Sequence, residues 1–150
     1  MTFQDLNIIP PILDAIREMG YNNPSPIQEK AIPVILSNKD LIGCAQTGTG
    51  KTAAFAIPSI QKIAAVKSSN GAPRVLVLTP TRELAIQIEE NFKLYGKYLK
   101  TRQTLIFGGV SANMQISSLR KGTDIVIATP GRLLDLARQQ EIKLSSVNSA

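Results

Sequence analysis

The sequence predicts an α/β protein in which helices cover both faces of a mostly parallel sheet. Short apolar runs alternate with longer segments of helical periodicity along the 150 residues. Residues 74–78, Arg-Val-Leu-Val-Leu, show no polar alternation, which is typical of a strand covered on both faces. Repeated strand–helix units favour right-handed connections, and these connections keep the strands parallel.

Local signals place the elements in order. Gly20 ends a helix predicted at 11–19. Ser25-Pro26 followed by Gln28 is a typical helix start, because the serine can cap the helix and the glutamine lies three residues later. A loop rich in Ser, Gly and Pro is predicted at 67–73. The other predicted elements are helices at 26–36, 53–66, 81–98, 113–119 and 131–138, and strands at 40–44, 74–78, 104–107 and 124–128.

Composition and charge restrict the function. The net charge of +6 is compatible with a polyanionic partner, although the basic residues are scattered. The sequence has no histidine, which excludes His-based triads and His metal sites. Its one cysteine, Cys44, cannot form an internal disulfide. Because neither a signal peptide nor an apolar run of about 18 residues is present, we expect a cytoplasmic protein with no membrane partner.

The stretch at 45–52, Ala-Gln-Thr-Gly-Thr-Gly-Lys-Thr, is the strongest chemical signal in the sequence. It lies between a predicted strand and a predicted helix, as a phosphate-binding P-loop does, although its first position carries Ala instead of Gly. Gly48 and Gly50 let successive backbone N–H groups turn toward an anion. Lys51 can reach the β- and γ-phosphates of a nucleotide, and the Thr52 hydroxyl can ligate Mg²⁺. The alternative is a Gly-rich connection with an unrelated lysine.

Two predicted helices begin with a cation where an acidic residue would be stabilising. Segments 79–82 and 129–132 read Thr-Pro-Thr-Arg and Thr-Pro-Gly-Arg, so that Thr caps each helix and Pro takes its first position. Arg82 and Arg132 then oppose the helix dipole. An arginine beside free N–H groups can bind an anion, and Gly108-Gly109 ends another strand on the same edge as the P-loop. These sites predict a polymer of phosphates as the partner, with two capped helices as the alternative.

Together these segments resemble the DEAD-box ATP-dependent RNA helicases. Phe3 stands 17 residues before Gly20, where the family carries an isolated aromatic residue. The resemblance implies a RecA-like P-loop fold with three α/β/α layers, incomplete at the C-terminus. Residues 1–150 would be part of the first of two such domains, and residues 1–37 its helical lead-in. The matching segments are 20–28, which is similar to the Q motif, 45–52, 80–85 (Pro-Thr-Arg-Glu-Leu-Ala), 108–109 and 129–132.

The resemblance implies ATP with Mg²⁺ as cofactors and RNA as the partner. Gln28 would read the adenine edge, because an amide both donates and accepts hydrogen bonds. Core packing is the alternative for Phe3 and Tyr21. The implied nucleotide contacts are Phe3, Tyr21, Asn23, Gln28, Ala45, Gln46, Thr47, Gly48, Thr49, Gly50, Lys51 and Thr52, with Lys51 and Thr52 also catalytic and Thr52 on Mg²⁺. The implied RNA contacts are Pro80, Thr81, Arg82, Gly108, Gly109, Thr129, Pro130, Gly131 and Arg132, which would hold the backbone and carry no sequence information.

The sequence departs from the family at the carboxylates that hydrolysis needs. The predicted strands at 74–78 and 124–128 are followed by Thr79 and Thr129, so neither supplies a carboxylate for Mg²⁺. The tetrapeptide Asp-Glu-Ala-Asp is expected shortly after Ala150. We therefore expect these 150 residues to bind nucleotide weakly, to leave ATP intact and to self-associate through unpaired strand edges. The alternatives are a non-catalytic module that binds nucleotide and RNA, and another P-loop ATPase acting on DNA.

Overall fold

The computed structural model describes residues 1–43, 50–66 and 71–139. A 3-10 turn at Phe3–Leu6 precedes the first α-helix. The helices are α1 (Pro10–Glu18), α2 (Pro26–Leu36), α3 (Lys51–Ala65), α4 (Arg82–Tyr95), α5 (Asn113–Lys121) and α6 (Pro130–Arg138). The strands are β1 (Val75–Leu78), β2 (Gln103–Ile106) and β3 (Ile125–Ala128). No helix among the described residues is long and apolar enough to span a membrane.

The chain divides into two compact units, of which the first holds residues 1–65 and 91–100. In this unit α2 packs along α3, which buries mainly alanine and isoleucine side chains. The amide of Gln61 on α3 accepts a hydrogen bond from the Ile9 N–H at 3.0 Å and donates one to the Asn7 carbonyl at 2.9 Å. Because both ends of this amide bond to backbone, it holds the N-terminal segment against α3.

The second unit holds residues 66–90 and the chain from 101 onward, and its centre is a parallel sheet in the order β1-β3-β2. All four residues of β3 are buried, as expected of a central strand with both faces covered. On one face Val126 and Ala128 form a core with Leu133 and Leu136 of α6, and residues of α5 pack against it. The predicted α/β class with a parallel sheet is confirmed.

The predicted strand at 40–44 is wrong over its described residues, which have no regular structure. The side chain of Ile42 is 96% exposed. A strand needs a hydrogen-bonded neighbour, and the described sheet offers none to residues 40–43. Cys44 lies outside the described residues, as does nearly all of the P-loop that we placed on the sheet edge. The loop predicted at 67–73 is described only from Gly71 onward.

The expected cover on both faces of residues 74–78 is also wrong toward the end of the strand. Leu78 is 51% exposed, and Val77 is only half-buried. In the described sheet β1 is an outer strand that pairs with β3 alone, so its side chains receive less cover than those of β3. The other predicted elements form, with ends displaced by up to three residues.

A single carboxylate ties the three strands together where they begin. Asp124 is buried and accepts hydrogen bonds from the Arg102 backbone N–H at 3.0 Å and from the Arg74 guanidinium at 3.1 Å. Burial by itself raises the pKa of this carboxyl, but the hydrogen bonds from Arg102 and Arg74 outweigh it, so the pKa is lowered. The backbone carbonyl of Asp124 also accepts hydrogen bonds from the N–H groups of Arg74 and Val75, and its own N–H donates to the Arg102 carbonyl.

Asp124→Asn should lower the free energy of unfolding by about 2–3 kcal/mol at pH 7, because it leaves the partly buried Arg74 side chain without its counter-charge. Since the folded-state pKa is depressed, the carboxylate stabilises the fold above its ordinary pKa of 3.8 and less as pH falls below it. Urea titrations at several pH values should therefore show the two proteins converging in acid.

Asp14→Asn is the matched control for this prediction. Its carboxylate pairs with Arg17 at 3.2 Å, but both side chains are more than half exposed. The control should change stability by no more than about 0.5 kcal/mol. Equal effects of the two substitutions would contradict the role assigned to Asp124.

Candidate functional site

In the first unit, the side chain of Gln28 connects the start of α2 to the residue before α3. Its Oε1 accepts a hydrogen bond from the Ser25 N–H at 3.0 Å, as the predicted helix start requires. Its Nε2 donates to the Gly50 carbonyl at 3.3 Å. The Ser25 hydroxyl is buried and has no hydrogen-bond partner among the described residues. Both polar ends of the Gln28 amide are thus in use, although each retains capacity for one more hydrogen bond.

Gly50 is the one glycine of the predicted P-loop that lies within the described residues, and its backbone conformation favours glycine. Its φ is +82°, and a Cβ there would lie 2.3 Å from the Gln28 Nε2. Its carbonyl accepts from Gln28 and also from the Ala54 N–H at 3.2 Å, which begins the hydrogen bonding of α3. Lys51 is exposed and Thr52 half-buried in the first turn of this 15-residue helix. The start of α3 therefore places a cation and a hydroxyl where helix N–H groups favour an anion.

The other predicted nucleotide contacts that the structure describes differ from one another in burial. Phe3 is buried with Leu6, which fits the core-packing alternative, whereas Tyr21 is 54% exposed and does not belong to the core. Asn23 is exposed. No group of three or more Cys, Asp or Glu side chains that could hold a metal occurs in the described part of the chain. The predicted contacts that lie outside the described residues are Ala45, Gln46, Thr47, Gly48 and Thr49.

In the second unit the three strands end at the same level. The Cα partners at these ends are Leu78 with Ala128 and Ile106 with Ala128. The ladders extend one residue further, since the Thr79 N–H donates to the Ala128 carbonyl at 3.0 Å and the Thr129 N–H to the Ile106 carbonyl at 2.8 Å. The segments that follow the strands therefore start side by side, as expected for a ligand site on a parallel sheet. No described strand is followed by a carboxylate.

The two helix starts differ from each other. The prediction that Thr79 caps α4 with Pro80 in the first position is wrong, because Thr79 still belongs to the strand ladder. Thr81 is the cap instead, and its hydroxyl accepts a hydrogen bond from the Leu84 N–H at 3.3 Å. At α6, Pro130 takes the first position as predicted, but the Thr129 side chain makes no capping hydrogen bond.

Arg82 lies beside the Gly108-Gly109 segment that follows β2. The Cζ of its guanidinium is 5.2 Å from the centroid of the Phe107 ring, within the range of a cation–π interaction. A Cβ added to Gly109 would lie 4.0 Å from the Arg82 Nη1. Gly109 has a φ of +84°, which favours glycine at this position. The ring thus holds the cation next to an exposed backbone segment without neutralising its charge.

Arg132 reaches the same segment from α6. Its Nη2 donates to the Val110 carbonyl at 2.8 Å, and its Nη1 donates to the Gln115 Oε1 at 3.3 Å. Gln115 is 8% exposed, and its Nε2 donates to the Phe107 carbonyl at 3.0 Å. Gln115 was not among the residues predicted from the sequence. The available signal was a polar residue next to Ile116 and four before Leu119 on the inward face of α5.

The structure therefore brings Arg82, Arg132 and Gly108-Gly109 together. The residues predicted to contact the polymer of phosphates are on the surface or close to it. Thr129 and Arg132 are half-buried, and the exposed members are Pro80, Thr81, Arg82, Gly108, Gly109, Pro130 and Gly131. Two cations beside an accessible, glycine-containing backbone form an arrangement that can bind phosphate groups.

Comparison with known proteins agrees with the resemblance to the DEAD-box helicases that the sequence showed. The profile of the DEAD/DEAH box helicase family matches residues 25–149. The chain is 47% identical over 98% of its length to the ATP-dependent RNA helicase DeaD of Mycobacterium tuberculosis. It is 45% identical over 99% of its length to the DEAD-box ATP-dependent RNA helicase CshA of Bacillus subtilis. These alignments cover 26% and 30% of the two relatives, so the chain spans about a quarter to a third of their length.

A solved structure confirms the expected fold class. The crystal structure of a hypothetical ATP-dependent RNA helicase from Sulfolobus tokodaii matches with a TM-score of 0.81 and 43% identity. The match covers 91% of this chain and 38% of that one. The family profile alone extends over more than half of the residues, and the relatives agree with it. The chain therefore belongs to the DEAD/DEAH box helicase family.

Proposed function

We propose that this chain is the ATP- and RNA-binding part of an ATP-dependent RNA helicase, which couples ATP binding and hydrolysis to local unwinding of RNA duplexes. The observation that carries the proposal is that Arg82 lies beside Gly109 and Arg132 donates to the carbonyl of the next residue, Val110, where three parallel strands end at the same level. In the proposed organisation, residues 1–150 are part of the first RecA-like domain, and residues 1–37 are the helical lead-in. Its proposed location is the cytoplasm.

The nucleotide site is proposed at the start of α3. Lys51 neutralises the β- and γ-phosphates there, and the Thr52 hydroxyl supplies one ligand to Mg²⁺ that arrives with ATP. This fits the first turn of α3, where both side chains follow a left-handed Gly50. Gln28 retains one donor and one acceptor for the adenine edge while it holds Gly50.

The RNA site is proposed along the segments that follow the three strands. Arg82 and Arg132 supply charge, and the backbone at Gly108-Gly109 admits close approach of phosphates. Such contacts read the backbone and not the bases, so RNA of any sequence is the proposed partner. We also propose that the outer strands β1 and β2, each paired with β3 alone in the described sheet, favour self-association of these 150 residues.

Lys51→Ala should weaken the binding of ATP and ADP by roughly tenfold or more, because it removes charge-assisted hydrogen bonds to phosphate. The measurement is a titration of a fluorescent nucleotide with Mg²⁺ present. Lys30→Ala, at an exposed position of α2, is the matched control and should leave the affinity unchanged. Unchanged affinity of the Lys51 variant would contradict the nucleotide site.

Arg82→Met and Arg132→Met should each weaken the binding of single-stranded RNA and reduce its salt dependence. The slope of log K against log salt should fall by about 0.7 for each phosphate contact that is lost. The measurement is fluorescence anisotropy of a labelled oligouridylate over a series of salt concentrations. Arg138→Met, at the other end of α6, is the control and should change neither quantity. A DNA oligomer of equal length that binds as tightly as RNA would favour a DNA-dependent ATPase instead.

These 150 residues should release no phosphate from ATP, even with RNA present. No strand in the described ranges is followed by a carboxylate that could hold Mg²⁺ for hydrolysis. The measurement is a phosphate-release assay, with nucleotide binding checked in the same sample. RNA-stimulated release that Lys51→Ala abolishes would contradict this prediction.

A further inference from the structure

Gln115 is a buried polar side chain that hydrogen-bonds to two parts of the proposed RNA site. Its amide lies between two of the segments that follow the strands. The Nε2 donates to the carbonyl of Phe107, the residue before Gly108-Gly109, at 3.0 Å, and the Oε1 accepts from Arg132 at 3.3 Å. Gln115 is 8% exposed, so water has little access to compete for these two hydrogen bonds.

The two hydrogen bonds leave Arg132 available for a further anion. A guanidinium carries five N–H donors in a fixed plane. Gln115 and the Val110 carbonyl engage one nitrogen each, at 3.3 and 2.8 Å. These two acceptors fix the plane of the Arg132 guanidinium, and its other N–H groups lie in the same plane. Because both acceptors are neutral, the full positive charge of Arg132 stays available to a phosphate.

We propose that Gln115 is a positioning residue for RNA binding, which fixes the Arg132 guanidinium and the Gly108-Gly109 segment in the relative placement that a phosphate backbone requires. The proposal rests on the RNA site proposed above, and it assigns no direct RNA contact to Gln115. The amide is suited to the role because it gives one donor to the loop and one acceptor to the arginine at once. A carboxylate at this position would neutralise Arg132, and a cation would repel it.

The test is a double-mutant cycle with RNA affinity as the readout. Gln115→Met keeps the length of the side chain and removes both hydrogen bonds. The binding of a labelled oligouridylate is measured by anisotropy for the 150-residue chain, Gln115→Met, Arg132→Met and the double variant. Urea titrations of each protein report stability separately. Gln139→Met, at an exposed position after α6, is the matched control.

Gln115→Met should weaken RNA binding about fivefold and lower the salt slope by roughly 0.7, the value for one phosphate contact. In the Arg132→Met background the same substitution should weaken binding by less than about threefold, because only the hydrogen bond from Gln115 to the Phe107 carbonyl remains to be lost there. Equal losses in both backgrounds would overturn the proposal and leave Gln115 with a structural role only. So would an unchanged affinity relative to Gln139→Met.

Two further measurements distinguish failure of the Gln115 proposal from misfolding of a variant and from failure of the RNA site itself. Gln115→Glu retains an acceptor for Arg132 and serves where Gln115→Met does not fold. It should weaken RNA binding at least as much, because the carboxylate pairs with the arginine, and an unchanged affinity would overturn the proposal. If Arg132→Met alone binds RNA as tightly as the unaltered chain, the RNA site itself is wrong, and the role of Gln115 falls with it.

Discussion

The parallel pairing of β1 and β2 with β3 is the constraint on which the proposed RNA site depends. It brings Leu78, Ala128 and Ile106 to the same level, so the segments that follow the three strands start side by side. At the opposite ends of the strands, Asp124 joins the backbone and side chains of Arg74 and Arg102. A slip of one residue in either pair would separate the arginines from the glycines and would turn buried side chains to the wrong face.

The residues of the proposed RNA site have different roles in that proposal. Arg82 and Arg132 supply charge, and Gly108-Gly109 supplies accessible backbone. The Phe107 ring and the Gln115 amide, both neutral, contact the two guanidinium groups. The cost is two cations in the first turns of helices, where the dipole opposes them by a few tenths of a kcal/mol or more each. Residues that lower stability in this way are expected at a functional site.

The sequence was informative where the chemistry is local. Three local features were predicted: the helix start at Ser25 and Gln28, the need for glycine at Gly50, and an arginine near the start of each of two helices. Each depends on residues within a few positions along the chain. The apolar pattern at 40–44 could not show whether a strand forms there, since a strand forms only if a neighbouring strand pairs with it. Asp124 and Gln115 act on residues 8 to 50 positions away in the chain, so no local pattern could reveal their partners.

An amide chemical-shift titration of the 150-residue chain with a single-stranded oligouridylate tests the proposed RNA site most directly. The largest changes are expected at the backbone amides of Arg82, Gly108, Gly109, Gly131 and Arg132, with a smaller change at Gln115. Changes confined to other surfaces, such as the exposed side of α1, would contradict the proposed site. So would the absence of any change at an RNA concentration that saturates binding in the anisotropy assay.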